Sequence, residues 1–344
     1  MTPEPHARPD ISVCIANYNG ANVLMTCLES VLTQTGDFRF EILIHDDASR
    51  DDAIQRVAEQ HPQVRILRST DNVGYCISNN RMAEVARGRF LLLLNNDATL
   101  RPGSLATLYS AACKTYPRDI LGLPQVDKLS GATIDHGYAF DIFMNPIALQ
   151  ALGTHEAQTA TGACLWVPRA TWLDIGGFPP WFGSVAEDIY LCQAARLLGY
   201  RTFVLSSPCF DHLVGHSLGG GKISTQGSLQ TTVRRRKLSE RNKTAIMLAC
   251  FPCWALVIVV PLHAAFLGVE ALYLLLAGSG ISKIRAIYGA LPRWLWQNRH
   301  HIVRLRTRLQ GARVVSGLEY MRPFRLFPHK IAMLARHGKP RLDN

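Results

Sequence analysis

Residues 89–97 read RFLLLLNND, an apolar run that stops at Asn95, Asn96 and Asp97. A run this short and this apolar predicts a strand buried on both faces, as in a parallel sheet. Outward from it, the sequence predicts further strands at 11–16, 41–45 and 64–68, and helices at 22–33, 53–60 and 77–86. Strands and helices that alternate at this spacing indicate βαβ units, so we predict an α/β fold.

Polar side chains follow these strands where each one ends. Asn17 and Tyr18 follow the first strand, and Asp46 and Asp47 follow the second. The carboxyl ends of parallel strands meet at one edge of a sheet, so these residues are expected to share a crevice with Asp97. No GxGxxG follows the first strand and the chain has no GxxxxGK[ST], which argues against a dinucleotide-binding or P-loop domain. A divalent cation is the expected partner of any phosphate.

Asp97 is the central candidate for holding that cation. Its carboxylate, with the Asn95 oxygen two residues away on the same face of the strand, offers the oxygen ligands of a hard cation. His212 is a candidate third ligand, with Asp211 expected to orient its ring. The alternatives are a polar cap at Asp97 and a structural histidine at 212.

Two acids, Glu187 and Asp188, open a predicted helix ten residues after Gly176-Gly177-Phe178. The helix dipole favours acids at that end, and an ionised carboxylate in a cleft can act as a general base. Plain compensation of the dipole is the alternative interpretation.

The net charge of +11 is unevenly divided. Residues 1–232 carry 17 Lys and Arg against 22 Asp and Glu, whereas residues 233–344 carry 20 against 4. Between Lys243 and Lys283 the only charged residue is Glu270, so the basic third also contains an apolar run of bilayer length. This combination indicates a membrane surface and argues against a nucleic-acid-binding protein.

Basic residues flank the apolar run on both sides, which predicts that both its ends lie on the cytoplasmic side. Pro252 and Pro261 predict a break, giving two short helices in one leaflet or a tight hairpin, with a buried helical pair as the alternative. Segment 301–309, with Ile302, Leu305 and Leu309 on one face, is expected to bind anionic lipid.

The predicted organisation is a flexible N-terminus at 1–10, a catalytic domain at 11–243 and a helical, membrane-associated region at 244–344. Residues 1–10 are polar and Pro-rich without the apolar stretch of a secretory signal, and the nine cysteines form no zinc-site spacing. A cytoplasmic location with reduced thiols is therefore expected.

Taken together, the motifs between about 11 and 245 resemble the family 2 glycosyltransferases, the inverting GT-A class, and within it the rhamnosyltransferase-like branch. The resemblance implies a nucleotide-sugar site formed by Ala16, Asn17, Tyr18, Asp46, Asn72, Gly74, Asn80 and Asn96. It implies metal ligands at Asp97, Asn95 and His212, with Gly215 and Ser217 in the same loop. It implies an acceptor side at Thr161, Gly162, Ala163 and Gly177, and catalysis by Asp188 with Glu187.

The resemblance implies a Rossmann-like, mixed and mainly parallel sheet flanked by helices, and Mg²⁺ or Mn²⁺ as cofactor. The expected reaction moves one rhamnose-like sugar from a nucleotide diphosphate sugar to a lipid-linked or cell-envelope glycan, at the cytoplasmic face of the inner or plasma membrane. Another hexose donor (galactose, glucose or mannose) with a different acceptor, and a catalytically weak glycan-binding relative, are the alternatives.

Two departures from the family pattern bear on this reaction. Tyr190 stands where a second acid often follows the base, which puts that acid's contacts in doubt. No QxxRW motif is present, which favours single-sugar addition, and Gln193 and Arg196 are interpreted as helix surface.

Overall fold

The computed structural model describes residues 8–151, 153–215, 220–223 and 229–343. Its strands are β1 (Ile11–Asn17), β2 (Phe40–Asp46), β3 (Arg65–Arg68), β4 (Phe90–Asn95), β5 (Ala98–Leu100), β6 (Ile120–Gly122), β7 (Gln125–Asp127), β8 (Thr133–Asp135), β9 (Tyr138–Phe140), β10 (Pro146–Ala148), β11 (His155–Ala157), β12 (Cys164–Pro168), β13 (Thr202–Val204), β14 (Phe210–His212), β15 (Gly220–Ile223), β16 (Leu229–Thr232) and β17 (Arg341–Asp343).

The helices are α1 (Leu24–Leu32), α2 (Ala53–Gln60), α3 (Tyr75–Val85), α4 (Ser104–Lys114), α5 (Arg169–Ile175), α6 (Glu187–Leu197), α7 (Val233–Cys250), α8 (Cys253–Leu276), α9 (Ile281–Ile284), α10 (Leu291–Gln297), α11 (Arg299–Gly311), α12 (Gly317–Met321) and α13 (His329–His337). A 3-10 turn covers Pro180–Phe182, and a π-helical turn covers Arg285–Gly289.

The chain divides into two compact units. The first comprises Met1–Gly137, Leu149–Ala195 and Tyr200–Leu213, and the second comprises Tyr138–Ala148, Arg196–Gly199 and Val214–Asn344. The predicted flexible segment 1–10 lies mostly outside the described residues. The predicted division after residue 243 stays a prediction, and α7 runs across that position.

The first unit is built on a sheet whose described strands lie in the order β11-β13-β6-β12-β4-β1-β2-β3. The pairs within β3-β2-β1-β4 are parallel, and β12 runs antiparallel to both β4 and β6. The predicted α/β fold with a mixed, mainly parallel sheet is therefore confirmed.

The apolar run that predicted β4 is the centre of this sheet. Leu91, Leu92 and Leu93 are fully buried, because both sheet faces are covered. Helix α1 turns Leu24 and Leu28 into the same core, as expected of an amphipathic helix beside a sheet. Burying a Leu side chain contributes roughly 1.5–3 kcal/mol, so β4 anchors the edge from which Asn95 and Asp97 follow.

The structure corrects one prediction about helix α6, the surface position of Gln193. Gln193 was expected at the surface, but it is fully buried and donates a hydrogen bond from Nε2 to the carbonyl oxygen of Gln158 at 3.0 Å. A buried amide is tolerated when such a bond satisfies it. Tyr190 is also fully buried and packs edge-on against Phe182 at 5.7 Å, so aromatic packing occupies the position of the family's second acid.

The second unit corrects one prediction about the apolar run. Pro252 separates α7 from α8, as predicted, but α8 is continuous from Cys253 through Pro261 to Leu276. The predicted break at Pro261 is wrong because a proline inside a long helix removes one backbone hydrogen bond and the remaining turns persist. The helix ends where Gly278 and Gly280 take up positive φ.

The apolar stripe of α11, which was predicted to bind lipid, packs against protein instead. Ile302 and Leu309 are 6% and 1% exposed, and α11 packs against α7. From the same helix Arg306 donates to the carbonyl oxygens of Leu248 and Phe251, and Gln310 donates to that of Cys250. These bonds satisfy carbonyls at the end of α7, so α11 serves as a cap for that helix.

Candidate active site

The end of β1 meets the ends of β2 and β4 at one edge of the sheet. Asn17 lies opposite Asp46, and Ala16 lies opposite Asn95. The Oδ1 atom of Asn17 accepts a hydrogen bond from Asn96 Nδ2 at 2.9 Å. The structure thus brings together five predicted site residues that are separated by up to 80 positions in sequence.

The loop after β1 approaches this pair so closely that only glycine fits. A Cβ atom at Gly20 would lie 2.1 Å from Asn17 Oδ1 and 2.8 Å from Asn96 Nδ2. Asn17 also donates to the Ser49 hydroxyl at 3.2 Å, which links the loop to the one after β2. Tyr18 is half exposed beside it and is available to a ligand.

Asp47 fixes the loop that carries Asn72 and Gly74. Its carboxylate accepts hydrogen bonds from the backbone N–H groups of Val73 at 2.6 Å and Gly74 at 2.8 Å. Asn72 donates to the Asp47 carbonyl at 3.4 Å. The sequence predicted that Asp47 lies in the crevice at the strand ends, and the structure gives it this positioning role.

Asn80 holds the turn that carries Gly177 and Phe178. Its amide donates to the carbonyl of Phe178 at 2.8 Å and accepts from the Phe178 N–H at 2.9 Å. Gly177 has a φ of +69°, and a Cβ there would lie 2.7 Å from Asn80 Oδ1. The nitrogen and the oxygen of the Asn80 side-chain amide thus both hold this turn.

Asp97 and His212 meet because β14 pairs with β5. The antiparallel register places His212 opposite Ala98, the residue after Asp97. The Nε2 atom of His212 lies 3.1 Å from Asp97 Oδ1, and Asp97 is 4% exposed. These two predicted metal ligands therefore face each other. Gly215 follows them, and Ser217 lies outside the described residues.

Gln125 and not Asp211 orients the His212 ring. Gln125 Nε2 lies 3.2 Å from His212 Nδ1, whereas Asp211 accepts a two-bond contact from Arg101 at 3.1 and 2.7 Å. The prediction for Asp211 is wrong because neighbouring side chains on a strand point to opposite faces. No sequence motif marked Gln125, since only the pairing of β7 with β14 brings it there.

The ring orientation determines what His212 can bind. When Gln125 donates to Nδ1, the neutral ring carries its proton on Nε2 and donates it to Asp97. When the Gln125 amide is rotated, its oxygen accepts from Nδ1–H and Nε2 is open to a cation. Asp97 and His212 therefore fit Mg²⁺ or Mn²⁺ as a carboxylate and an imidazole ligand.

Any further ligands of such a cation have to come from groups other than Asp97 and His212. Within the described residues no group of three or more His, Cys, Asp and Glu side chains is placed to hold a metal. Asn95 donates from its backbone N–H to the Ala163 carbonyl at 3.0 Å, and its own carbonyl accepts from the Cys27 thiol at 3.3 Å. A cation that keeps waters and gains phosphate oxygens from a ligand needs no third protein side chain.

Asp188 lies in the first turn of α6 and faces Gly162. Its Oδ2 accepts from the Gly162 N–H and its Oδ1 accepts from the Ile189 N–H, both at 2.8 Å. A Cβ on Gly162 would come within 3.2 Å of the Asp188 Cβ, so glycine permits the close approach. A carboxylate offers about four lone-pair positions, so two backbone bonds leave it able to accept a proton.

Tyr75 contacts the same glycine, Gly162. Its hydroxyl donates to the Gly162 carbonyl at 3.1 Å. Burial, together with the nearby Glu187 and Asp188, raises the pKa of Tyr75 well above its usual value. Tyr75 therefore stays a neutral hydrogen-bond donor that holds the strip 161–163. In this strip, Thr161 accepts from the Ala163 N–H at 3.5 Å.

The backbone before Glu187 and Asp188 is strained. Val185 and Ala186 have φ values of +70° and +68°. A β-branched residue in this region is rare, and such strain costs of order 1–3 kcal/mol per residue. Strained residues cluster at functional sites because the surrounding fold must hold them there. Here they lead directly into the first turn of α6, which carries the two acids.

Comparisons with known proteins give the chain's likeness in sequence and in fold. Residues 12–170, a little less than half of the chain, match the family model described as Glycosyl transferase family 2. An uncharacterized glycosyltransferase, YibD, of Escherichia coli (strain K12) is 35% identical over 105 residues, covering 30% of this chain and 30% of the relative. The succinoglycan biosynthesis protein ExoO of Rhizobium meliloti (strain 1021) is 33% identical over 105 residues, with the same two coverages. The chain thus matches less than a third of the length of each of these relatives.

Among solved structures, GalNAc-T7 with UDP, GalNAc and Mn²⁺ matches with a TM-score of 0.56 at 15% identity, covering 71% of this chain and 48% of that one. At this identity the likeness concerns the fold. The central sheet has the GT-A architecture. The match to the family model, together with the glycosyltransferase relatives, supports the interpretation of the chain as a family 2 glycosyltransferase.

Proposed function

We propose that the chain moves a single rhamnose-like sugar from a nucleotide diphosphate sugar to a lipid-linked or cell-envelope glycan, with inversion at the anomeric carbon. The contact between Asp97 and His212 carries the proposal, because it joins a carboxylate and an imidazole at the sheet edge where ligands bind. Asp188 and Gly162 belong to the same unit. The biosynthetic role named for the relative ExoO supports a polysaccharide product.

Asp97 and His212 would hold Mg²⁺ or Mn²⁺ in this reaction. When bound, such a cation neutralises charge that develops on a leaving diphosphate. Gln125 sets the tautomer of His212, and the buried carboxylate of Asp97 keeps its orientation through the β5–β14 pairing.

The remaining chemistry belongs to Asp188. Its carboxylate takes the proton from an acceptor hydroxyl while that oxygen forms a bond to the anomeric carbon. The bond from that carbon to the diphosphate oxygen breaks, and the nucleoside diphosphate leaves with the electron pair. A single displacement of this kind inverts the configuration. Gly162 and Tyr75 position Asp188, and Glu187 enters beside it on the same helical turn.

On the donor side, the proposed contacts come from Ala16, Asn17, Tyr18, Asp46, Asn72, Gly74, Asn80 and Asn96. Asn80 acts by shaping the turn at Phe178, and Gly74 by presenting the loop held by Asp47. On the acceptor side, the proposed contacts come from the strip next to Asp188, formed by Thr161, Gly162 and Ala163, and from Gly177. The enzyme is proposed to work at the cytoplasmic face of the inner or plasma membrane, where such an acceptor is anchored.

Replacing Asp188 with Asn tests the assignment of the base. Asn keeps the shape but accepts no proton, so we expect turnover to fall at least about 100-fold, as for loss of a general base. Donor binding, measured by thermal shift with Mn²⁺, is expected to change less than twofold. Glu84→Gln, an exposed acid on α3, is the control and should keep full turnover.

A screen of nucleotide diphosphate sugars with Mn²⁺ provides the substrate for this test. Rhamnose donors are expected to turn over, and galactose, glucose and mannose donors are the competing arms. Full activity of the Asp188→Asn enzyme would contradict the assignment of Asp188 as the general base. Binding of glycan without turnover of any donor would favour a catalytically weak, glycan-binding relative.

A further inference from the structure

Helix α8 presents an uncharged apolar face to solvent along its whole length. Val257, Val269 and Leu276 are 76%, 67% and 79% exposed, and the same face carries Trp254, Ile258, Leu262 and Leu272. At about 1.5 Å per residue, the span from Trp254 to Leu276 is about 33 Å. A contiguous apolar patch of this length on a water-exposed surface marks an interaction site.

The polar groups of α8 point the other way. His263 is buried and its Nε2 lies 3.0 Å from the Thr244 hydroxyl. Glu270 accepts a hydrogen bond from Lys330 Nζ at 2.8 Å and pairs with Arg236. The helix is therefore polar toward protein and apolar toward its surroundings, the reverse of a helix on the surface of a water-soluble protein.

Helix α7 lies antiparallel beside α8, because Thr244 contacts His263 while Arg236 contacts Glu270. The turns of α7 next to Glu270 carry Arg234 and Lys237, both exposed. If α8 crossed a bilayer, these cations would be drawn toward the hydrocarbon with it, which is costly for charged side chains. If α8 lies along the surface, they remain near the head groups.

The charge of this unit fits one kind of partner. Residues 233–344 carry 20 basic and 4 acidic residues, and Arg285, Arg293 and Arg299 are exposed. Trp296 is 68% exposed and the Arg299 guanidinium lies 4.2 Å from its ring centre. Exposed Trp, apolar and basic side chains within one unit are typical of a protein that binds at the interface of an anionic bilayer.

We propose that α8 docks in the plane of an anionic bilayer, with its apolar face in one leaflet and both of its ends on the same side. The partly buried ion pairs of Glu270 with Arg236 and Lys330 hold the helix in this orientation. The inference extends the proposed membrane location and is separate from sugar transfer, because docking is measured without donor or acceptor.

Sedimentation of the full chain with vesicles tests the surface. Vesicles of phosphatidylcholine and phosphatidylglycerol (7:3) are expected to bind it at least tenfold more strongly than phosphatidylcholine alone. Val269→Asp should weaken binding at least tenfold, while Leu129→Asp, a 78% exposed position in the first unit, should not. Both positions are exposed, so neither substitution affects folding directly. Absence of vesicle binding, equal binding by Val269→Asp, or self-association through this face without lipid binding overturns the proposal.

Labelling from one side tests the orientation. The full chain carrying Ser282→Cys is bound to sealed vesicles and treated with a membrane-impermeant maleimide. Labelling at Cys253, an exposed thiol at the start of α8, and at position 282 is measured by mass spectrometry. Labelling of both from outside is expected, whereas protection of one end that is lost when detergent opens the vesicles shows that α8 crosses the bilayer.

Discussion

At the scale of single residues, the candidate site depends on which nitrogen of His212 faces Asp97. The sequence was enough to single out Asp97 and His212, because Asp97 follows a predicted strand and both residues stand in the order of the family's motifs. It was not enough to find Gln125, whose side chain reaches His212 only through the pairing of β7 with β14. The misassigned Asp211 has the same origin, since strand boundaries decide which face a side chain takes.

Replacing Asp97 with Asn is expected to remove metal-dependent donor binding. Asn keeps the volume but removes the negative charge that a divalent cation needs, so Mn²⁺ should no longer raise donor affinity. Titration calorimetry with and without EDTA measures the effect. Asp211→Asn, on the opposite face of β14, should lose its charge, one of its two bonds to Arg101 and some stability, yet keep the Mn²⁺ dependence. An Mn²⁺ response left intact in Asp97→Asn contradicts the assignment.

Replacing Gln125 with Leu is expected to weaken Mn²⁺ binding about 10- to 100-fold, as for loss of a partner that orients a metal-binding imidazole. Gln125→Glu should keep most of the affinity, because its carboxylate accepts from Nδ1–H and leaves Nε2 to the cation. Titration of Mn²⁺ in the presence of a nucleoside diphosphate gives both values. Equal affinity in wild type and Gln125→Leu would show that the ring orientation has no part in binding.

At the scale of elements, the strands and helices up to β4 follow from hydrophobic periodicity, and their predicted positions lie within a few residues of those in the structure. The short strands β6 to β11 escaped prediction, since three-residue strands carry no periodic pattern and form only against a partner. Helix α8 was predicted as broken because the local rule for Pro261 ignores the packing of the turns on either side.

Glu41 shows how a charged residue can hold neighbouring elements together. It lies on β2, where its carboxylate accepts from the Ser12 hydroxyl at 2.7 Å, the Arg87 N–H at 2.6 Å and the Arg87 guanidinium at 3.0 Å. Burial raises the pKa of Glu41, but the Ser12 and Arg87 donors outweigh it and the net pKa lies below the usual 4.5.

The lowered pKa of Glu41 predicts acid sensitivity. A carboxylate with a depressed pKa in the folded state adds stability above its unfolded pKa and loses it as pH falls through the folded value. Glu41→Gln should therefore lower the unfolding free energy by about 1–3 kcal/mol at pH 7, and the gap to wild type should narrow below about pH 4.5. Urea titrations at pH 7, 4.5 and 3.5 measure it, with Glu84→Gln as the control. A gap that stays constant with pH would contradict this account.

At the scale of the whole molecule, the uneven charge was the property that sequence captured best. The acidic portion contains all the candidate site residues, and the basic portion contains α8 and its ion pairs. The division into units was harder to predict, because Tyr138–Ala148 belongs to the second unit although it lies inside the sequence of the first. Contacts between distant segments, which leave no local pattern, decide that assignment.

Truncation after residue 243 tests whether the predicted catalytic domain 11–243 is independent. The shortened chain loses Arg325, whose N–H donates to the Phe140 carbonyl at 2.9 Å, and His329, whose N–H donates to Asp141 at 2.6 Å. It also loses Lys330, a partner of Glu240. We expect a protein that aggregates, seen by size-exclusion chromatography, while truncation after residue 340 leaves these contacts in place. A monomeric, donor-binding 1–243 fragment would show that the domain stands alone.

The hairpin of β9 and β10 also has a consequence for the order of events during synthesis. Its partners Arg325 and His329 are translated roughly 180 residues later, a delay on the order of 10–40 s at bacterial rates of translation. Throughout that interval the Phe140 carbonyl and the Asp141 carboxylate lack the backbone donors of Arg325 and His329 that later bond them. The second unit therefore reaches its final form only after residue 329 has left the ribosome, and a chaperone that shields residues 138–148 would act within this window.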